Sequence, residues 1–580
     1  MLRCTGFAKE CPMPLILANC GAIFVQGLPG LLAAGGFRAD KIPLREEVLQ
    51  AGANIFDATS SVEYVDVFVS HRCDAARWPK YMALCLYLNL PLAVTCSVAV
   101  WLLTAVALAA RAGSVSGLAA LAHPLLLPVL VLFPMVVFLL IFFFGHHASN
   151  LCRPLCFWLD RACIHQTDFE LQHRQIQALP VFVARSSSML VLWDDEYFQR
   201  LWCQLELATF AKHGDIKKVS FLPLWLAPWL LSAFAIDLFL VAVWFLFELI
   251  PPSMLSWLMD AVTPDIVRGT RFAFDVGFAI LFVVAGMSVG LLVALTWSSY
   301  CRTKLSSHAL MLEQMSNFDW RAAKCTKAED RRIVQHQMCE LFREGREMKE
   351  VDQQADHQQT SSTAMGEPDA DALPHVSDEP CGMLLDEGPL DAFNAFIRGS
   401  VRTFVLDRVG GEMHVPYSLC LVAALPTSFY SLVDISYTLA NEELVRASGL
   451  SSVEAFACAN CLSWPAFVLL ILPIYYPIYL RMLKHALYIQ SRPLRLVLTI
   501  VSGTATHAYG AACMAIVESS ATLCVQQAAF SWVLPLVLLL LLLQLRCLFH
   551  GGGPQLCCQS QLDSRHSGDP SYRPLYAEDA

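Results

Sequence analysis

One stretch of the chain brings together residue types that can hold a zinc ion. Cys152, Cys156, Cys163 and His165 follow the spacing C-x3-C-x6-C-x-H. Structural zinc sites use short, regular ligand intervals, and this spacing matches none of them. Cys156 also lies in a run with strand character. We therefore expect no metal site here.

Carboxylates inside apolar segments form a second group of candidates. Asp237, Asp275 and Asp434 each lie within such a segment. Intramembrane carboxylates are costly and often line an ion or proton pathway. Asp237 lies deepest and has no basic residue in its segment, so it either lines a hydrated cavity or stays protonated and bonded to a neighbouring helix. Both interpretations stay open at this stage.

The composition explains why these carboxylates fall in apolar surroundings. Of the 580 residues, 56% are hydrophobic and 16% are charged, and the mean hydropathy is +0.50. A hydrocarbon core of roughly 30 Å needs about 20 apolar residues in a helix. The sequence predicts eight such spans, at Pro91 to Ala110, Leu118 to Phe144, Val219 to Phe247, Phe272 to Trp297, Val415 to Ala440, Cys461 to Leu480, Leu496 to Val517 and Phe530 to Leu545. This pattern predicts a multi-pass protein with the lipid bilayer as a partner.

The basic residues indicate an orientation. All but four of the 40 Lys and Arg residues fall on one side of these spans, and the exceptions are Arg111, Arg268, Arg271 and Arg446. The positive-inside rule makes the basic side cytosolic, together with both termini. The charge-free stretch 13–37 is rich in Gly and is interpreted as a peripheral hydrophobic segment. A ninth span and a signal-like segment are the alternatives.

Composition also excludes some functions and divides the chain. A net charge of -10 gives no support for nucleic-acid binding, and scattered cysteines favour reduced thiols. The predicted regions are 1–60 (an N-terminal region), 61–90 with 150–215 (a discontinuous soluble domain), 91–148 (an inserted hairpin), 219–297 (two spans), 298–349 (a cytosolic helical segment), 350–391 (an acidic disordered linker), 392–414 (an amphipathic connector), 415–547 (four spans) and 548–580 (a cytosolic tail).

The soluble segments have the pattern of one α/β domain. Val65 to Ser70 reads as a buried strand, and 155–212 reads strand, helix, strand, helix. Alternation of this kind predicts a parallel, doubly wound sheet. The inserted hairpin crosses the membrane an even number of times, which returns the chain to the same side. We therefore expect the strands before and after it to share one sheet.

Three blocks carry a resemblance to a known family. D-V-F-V-S-H-R from Asp66, followed by Asp74, resembles the opening strand and loop of TIR domains, W-L-D from Trp158 resembles their second strand, and R-L-W-C-Q-L-E-L from Arg200 resembles their W-C-x-x-E-L motif. The amino-acid sequence of these blocks is especially similar to that of TIR-like domains in multi-pass membrane proteins of dinoflagellate algae and related protists. The resemblance implies a flavodoxin-like sheet and TIR-TIR self-association.

The resemblance also implies a chemistry. Catalytic TIR domains cleave NAD with the glutamate of that motif, which is Glu206 here, and the same likeness places Ser70, Arg72 and Asp74 at the ligand. A carboxylate stabilises the oxocarbenium-like transition state of glycosidic cleavage, and Arg72 is suited to a pyrophosphate. NAD would be the substrate, and no cofactor is expected. In the alternative interpretation, Glu206 is an exposed helix residue paired with Arg200 or Lys212.

Three functions therefore remain open. The first is an NAD-cleaving signalling enzyme confined to a membrane. The second is a non-catalytic module that recruits partners by TIR-TIR contact. The third is a transporter or channel that uses Asp237 and carries a regulatory TIR-like domain.

Overall fold

The chain forms two compact units, each built from separate stretches of sequence. The computed structural model describes residues 8–37, 43–112, 123–152, 155–214, 216–248, 273–325, 330–342, 387–440, 445, 450, 452–487 and 489–550. The α/β unit comprises Met1–Arg77, Pro154–Leu222 and Leu310–Arg408, and the helical unit comprises Trp78–Arg153, Pro223–Ala309 and Val409–Ala580.

A six-stranded sheet forms the centre of the α/β unit. Its strands are β1 (Ala8–Pro12), β2 (Ser60–Val62), β3 (Val65–His71), β4 (Cys156–Trp158), β5 (Ser186–Trp193) and β6 (Val219–Pro223). Their order across the sheet is β2-β1-β4-β3-β5-β6. β3 runs parallel to β4 and β5, whereas β1 is antiparallel to both β2 and β4. The sheet is therefore mixed, with a parallel centre and an antiparallel edge that the sequence did not predict.

The strands before and after the inserted hairpin lie side by side. Val67 pairs with Phe157 of β4, and β3 pairs with β5 from Val65–Ser186 to His71–Leu192. β3 is buried at six of its seven positions, because apolar side chains cover both faces of a central parallel strand. The Phe68 and Trp158 rings stack at 4.5 Å across the β3–β4 pair. The prediction that these strands share one sheet is confirmed.

Helices and short helical turns surround this sheet. The helices are Met13–Gly21, Gly27–Ala34, Arg45–Asp57, Asp160–Cys163, Phe169–Gln177, Leu179–Ala184, Leu201–His213, 330–342, Glu387–Phe396 and Arg402–Val409. The turns are Ala22–Phe24, Tyr197–Gln199, Ile216–Lys218 and the π-turn Ile397–Val401. Glu387–Phe396 begins within the predicted disordered linker, whose residues 350–386 lie outside the described residues. The linker prediction therefore does not hold for its last five residues.

The stretch 13–37 is part of this unit in the structure. Ile16, Leu17 and Phe24 are at most 3% exposed, and β1 joins the sheet immediately before them. Positive φ angles at Asn19, Cys20 and Gly21 break the first helix into short pieces. A bent, packed segment of this kind differs from the peripheral hydrophobic stretch that the sequence favoured.

The helical unit contains segments with the length and hydropathy of membrane spans. Five described helices qualify, at Arg77–Arg111, Leu125–Ala148, Leu226–Leu246, Val453–Ala486 and Arg492–Gln526. A sixth span is possible if Tyr417–Ala423 and Leu425–Ser436, which meet at 51°, cross together. These segments are those of an integral membrane protein. The predicted eight spans are more than the described residues show.

Differences from the predicted spans follow from local sequence. The predicted third span begins at Val219, but Val219–Pro223 is strand β6 and the helix begins at Leu226. The Ala273–Ser316 helix covers the predicted fourth span from Ala273 onward and continues well past Trp297. Val533–Phe549 is shorter than the spans above. The predicted span from Cys461 to Leu480 lies inside the longer Val453–Ala486 helix, which contains the π-turn Phe467–Ile471 beside prolines that lack a backbone N–H.

The helices that make up these segments have the following bounds. They are Arg77–Ala112, His123–Leu127, Phe133–Cys152, Leu226–Glu248, Ala273–Ser316, Tyr417–Ala423, Leu425–Ala440, Val453–Ala466, Tyr475–Leu487, Arg492–Gln526 and Val533–His550. Aromatic rings pack between several of them, and Trp101 stacks at 5.2 Å on Phe429 and at 5.8 Å on Trp464.

Candidate functional site

Glu206 is hydrogen-bonded to the end of the central strand. Ser70 Oγ, on β3, donates to Glu206 Oε2 over 2.5 Å and lies 2.6 Å from the hydroxyl of Tyr197. Ser70 and Tyr197 are fully buried, and Glu206 is half-buried in the Leu201–His213 helix. An ionised carboxylate only accepts hydrogen bonds, so in the ionised state of Glu206 Ser70 donates to it and accepts from Tyr197.

This position changes the acidity of Glu206. Burial raises its pKa from 4.5 to about 8, against the hydrogen bond from Ser70, which lowers it, and with a further increase from the negative charge of Asp160. A carboxylic acid with a pKa near neutrality is suited to proton transfer, and enzymes raise glutamate pKa values in this way. The arrangement differs from the exposed, surface-paired glutamate of the alternative interpretation.

Arg72 and Asp74 belong to a neighbouring ion-pair cluster. The Arg72 guanidinium lies 2.8 Å from Asp194 and 2.7 Å from Glu196, both of which follow β5. Asp74 pairs with Arg200 at 2.5 Å and accepts a bond from Gln26 at 2.8 Å. The structure therefore brings Ser70 to Glu206 and places Arg72 and Asp74 in contact with other protein charges. A pyrophosphate would have to replace two carboxylates at Arg72.

The Leu201–His213 helix, which carries Glu206, is also held from a distant part of the sequence. Leu201 N donates to Lys324 O over 3.0 Å, and Lys324 N donates to Gln199 O over 2.8 Å. At the other end of the helix, Lys212 bonds to the carbonyl of Leu341. The backbone bonds to Lys324 fix the residue at which the helix begins. They thereby fix the position of Glu206 relative to the carboxyl end of β3.

Three of the residues considered for zinc, Cys156, Cys163 and His165, contact other groups, and the Cys152 side chain lies outside the described residues. Cys163 is buried, which raises the pKa of its thiol to about 12, and its sulfur points to the carbonyl of Phe157. His165 Nδ1 accepts from the backbone of Asp168 at 3.0 Å. Among the described residues, neither side chain belongs to a cluster of metal-binding atoms. Cys156 has Glu10 and Asp66 as neighbours instead.

Asp237 lies at the break between two helices of the helical unit. Its carboxylate accepts the Thr427 hydroxyl at 2.6 Å and the Thr427 backbone N–H at 2.9 Å. Thr427 is in the first turn of Leu425–Ala440, whose initial N–H groups lack partners within the helix. Asp237 thus bonds to a neighbouring helix, as one of its two interpretations expected.

Some residues at the site carry no signal in the sequence. Tyr197 lies in a short turn nine residues before Glu206, a spacing that no motif marks. Only the fold brings its hydroxyl to Ser70.

No family model, curated protein or solved structure matches this chain.

Proposed function

We propose that this chain is a membrane-bound signalling protein whose α/β unit is a TIR-like domain that cleaves NAD, with Glu206 as the catalytic carboxylate. The observation that carries the proposal is the position of Glu206 beside Ser70 at the carboxyl end of β3. The strand order β4-β3-β5-β6 corresponds to the first four strands of a flavodoxin-like sheet. In such sheets, ligands bind at the carboxyl ends of the strands on either side of the switch point, here β3 and β5.

The proposed reaction needs one well-placed negative charge. The bond between the nicotinamide nitrogen and the ribose carbon breaks, and its electron pair neutralises the pyridinium. Water supplies the hydroxyl of the ADP-ribose product, and its remaining proton is released to solvent. The ribose passes through an oxocarbenium-like state that an adjacent carboxylate stabilises. Burial keeps Glu206 mostly protonated at neutral pH in the free protein, and the cationic nicotinamide riboside favours its ionised form.

The remaining residues support binding. Arg72 is the group suited to the pyrophosphate, provided that it exchanges Asp194 and Glu196 for phosphate oxygens. Confinement to a membrane raises the effective concentration of neighbouring copies, which favours TIR-TIR self-association. In this proposal the α/β unit and both termini face the cytosol.

The test is nicotinamide release by full-length protein reconstituted in lipid. Wild type is compared with Glu206→Ala, Glu206→Gln and a control, Glu170→Ala, which changes an exposed glutamate on another helix. Loss of transition-state charge stabilisation costs about 10²- to 10³-fold in rate. We expect that loss in both Glu206 variants and wild-type rates in the control. Release of nicotinamide at equal rates in wild type and Glu206→Ala would refute the enzyme and favour partner recruitment.

A further inference from the structure

We propose that His71, Cys73 and Asp160 form a binding site for a divalent transition-metal ion of the zinc class. The three side chains come from the end of β3, the loop after it, and the first residue of the Asp160–Cys163 helix. β3 and β4 are adjacent parallel strands, so the residues that follow them meet at one edge of the sheet. The sequence does not reveal this group, since 87 residues separate Cys73 from Asp160.

The distances between the possible ligand atoms suit one ion. His71 Nε2 lies 3.9 Å from one Asp160 oxygen, and Cys73 Sγ lies 3.3 Å from the other. All three ligand atoms lie within 4.8 Å of one another. Tetrahedral zinc, with bonds of about 2.0–2.3 Å, separates its ligand atoms by roughly 3.3–3.8 Å. Small side-chain rotations therefore suffice to bring the three atoms around one centre.

The backbone N–H of Arg161 orients the Asp160 carboxylate, and the Arg161 side chain is itself held by backbone carbonyls. Asp160 Oδ1 accepts the backbone N–H of Arg161 at 2.7 Å, and the Arg161 guanidinium bonds to the carbonyls of Ile23 and Val25. Metal sites depend on such outer hydrogen bonds, which orient the ligands before the ion arrives. The His71 side chain is 2% exposed, whereas Cys73 is exposed and leaves a side open through which an ion can enter.

The donor set indicates which ion would bind. Imidazole nitrogen and thiolate sulfur favour zinc and similar transition metals over magnesium or calcium, which prefer oxygen. Three protein ligands leave a fourth tetrahedral position for water or another molecule. The ion and Glu206 would not share a ligand, because consecutive residues of a strand point to opposite faces and Ser70, not His71, contacts Glu206. The Asp160 charge nevertheless reaches Glu206 and raises the pKa of that carboxyl.

A second cluster of the same kind is less suitable. Glu10, Asp66 and Cys156 also place ligand atoms within 4.8 Å of one another. Asp66 is exposed and accepts the backbone N–H of Cys156, and the group contains no histidine. This cluster serves as the comparison in the experiment.

The test uses full-length protein purified in detergent and stripped with a chelator. Cobalt(II) replaces zinc as the probe, because a bound thiolate gives it a charge-transfer absorption in the near ultraviolet. Wild type is compared with Cys73→Ser and Asp160→Asn, and with the control variants Cys156→Ser and Cys458→Ser. Cys458 is an exposed thiol in the helical unit.

We expect the charge-transfer band in wild type and in both controls, and its loss in Cys73→Ser. Zinc affinity, measured by competition, should fall in Cys73→Ser and Asp160→Asn by more than the roughly 10- to 100-fold that loss of an outer partner causes. Zinc should also raise the unfolding temperature of wild type and not that of Cys73→Ser. A band that persists in Cys73→Ser, or that disappears in Cys156→Ser alone, would overturn the proposal.

Discussion

The ionisation of Glu206 gives a prediction that does not depend on activity. Replacement by Gln keeps the size of the side chain and removes its charge. The folded chain holds the Glu206 proton up to a pKa of about 8, whereas an exposed glutamate releases it near 4.5. The folded value is the higher one, so stability falls as the pH rises from 4.5 to 8 and is constant above that range. Glu206→Gln does not titrate and should avoid this loss.

The size of the effect follows from the difference between the two pKa values. Between pH 4.5 and pH 8, the free energy of unfolding falls by about 1.4 kcal/mol for each pH unit. The upper limit of the total loss is therefore about 5 kcal/mol. Glu206 is half-buried, and water screens part of that cost, so we expect about 2–4 kcal/mol. Tyr197 and Cys203, which lie near the carboxylate, have pKa values raised by burial and stay neutral over this range.

Hydrogen exchange of the Leu201–His213 amides provides the assay, because it reports local opening without requiring the whole chain to unfold in one step. The chelated wild-type protein and Glu206→Gln are compared at pH 5 and at pH 9. The ratio of the protection factors, Glu206→Gln over wild type, should rise by roughly 30- to 700-fold from pH 5 to pH 9. Glu170→Gln is the control. A ratio that stays constant from pH 5 to pH 9 would show that Glu206 is not held in a desolvated position.

Two further predictions follow from the same structure. Ser70→Ala removes a hydrogen bond to a charged acceptor, which is worth about 1.5–3 kcal/mol. The midpoint of the pH-dependent loss of protection caused by Glu206 should therefore rise by about one to two pH units. An unchanged midpoint would mean that the Ser70 bond does not stabilise the carboxylate. The distribution of basic residues predicts that both termini are cytosolic and that loops 111–117 and 441–460 lie on the opposite side of the membrane. A C-terminal tag should then be protected from protease in intact cells or sealed right-side-out vesicles. Digestion of the tag without permeabilisation would contradict this topology.

The elements that the sequence predicted best are those with an unambiguous pattern. β3, V-D-V-F-V-S-H, is rich in β-branched and aromatic residues, and it appears with nearly the predicted bounds, Val65 to Ser70. β6 is different, because its apolar residues directly precede an apolar helix and cannot be distinguished from the start of a span by hydropathy. Strand β1, A-K-E-C-P, has no clear apolar alternation, and it pairs with β2 through Ala8–Glu10 and with β4 through Cys11 and Pro12.

Individual residues of the candidate site could be predicted from the sequence, but the contacts between them could not. Glu206 and Ser70 could be selected from short sequence motifs, and the structure brings them into contact. The partners of Arg72 could not, because Asp194 and Glu196 reach it through the pairing of β3 with β5. Contacts between distant segments depend on sheet register, which a single sequence does not specify.

The hairpin lies in the sequence between strands β3 and β4, and this order affects how the chain folds during synthesis. β3 leaves the ribosome first, then the helices from Arg77 to Cys152, and only afterwards β4 and β5. At about 5–20 residues per second, the central strand waits roughly 5–20 s for its first parallel neighbour. During that interval both edges of an apolar strand are unpaired, a state that promotes aggregation. Insertion of the hairpin ahead of sheet closure would hold nascent chains apart in the bilayer, so a delay in insertion should cause misfolding of the α/β unit.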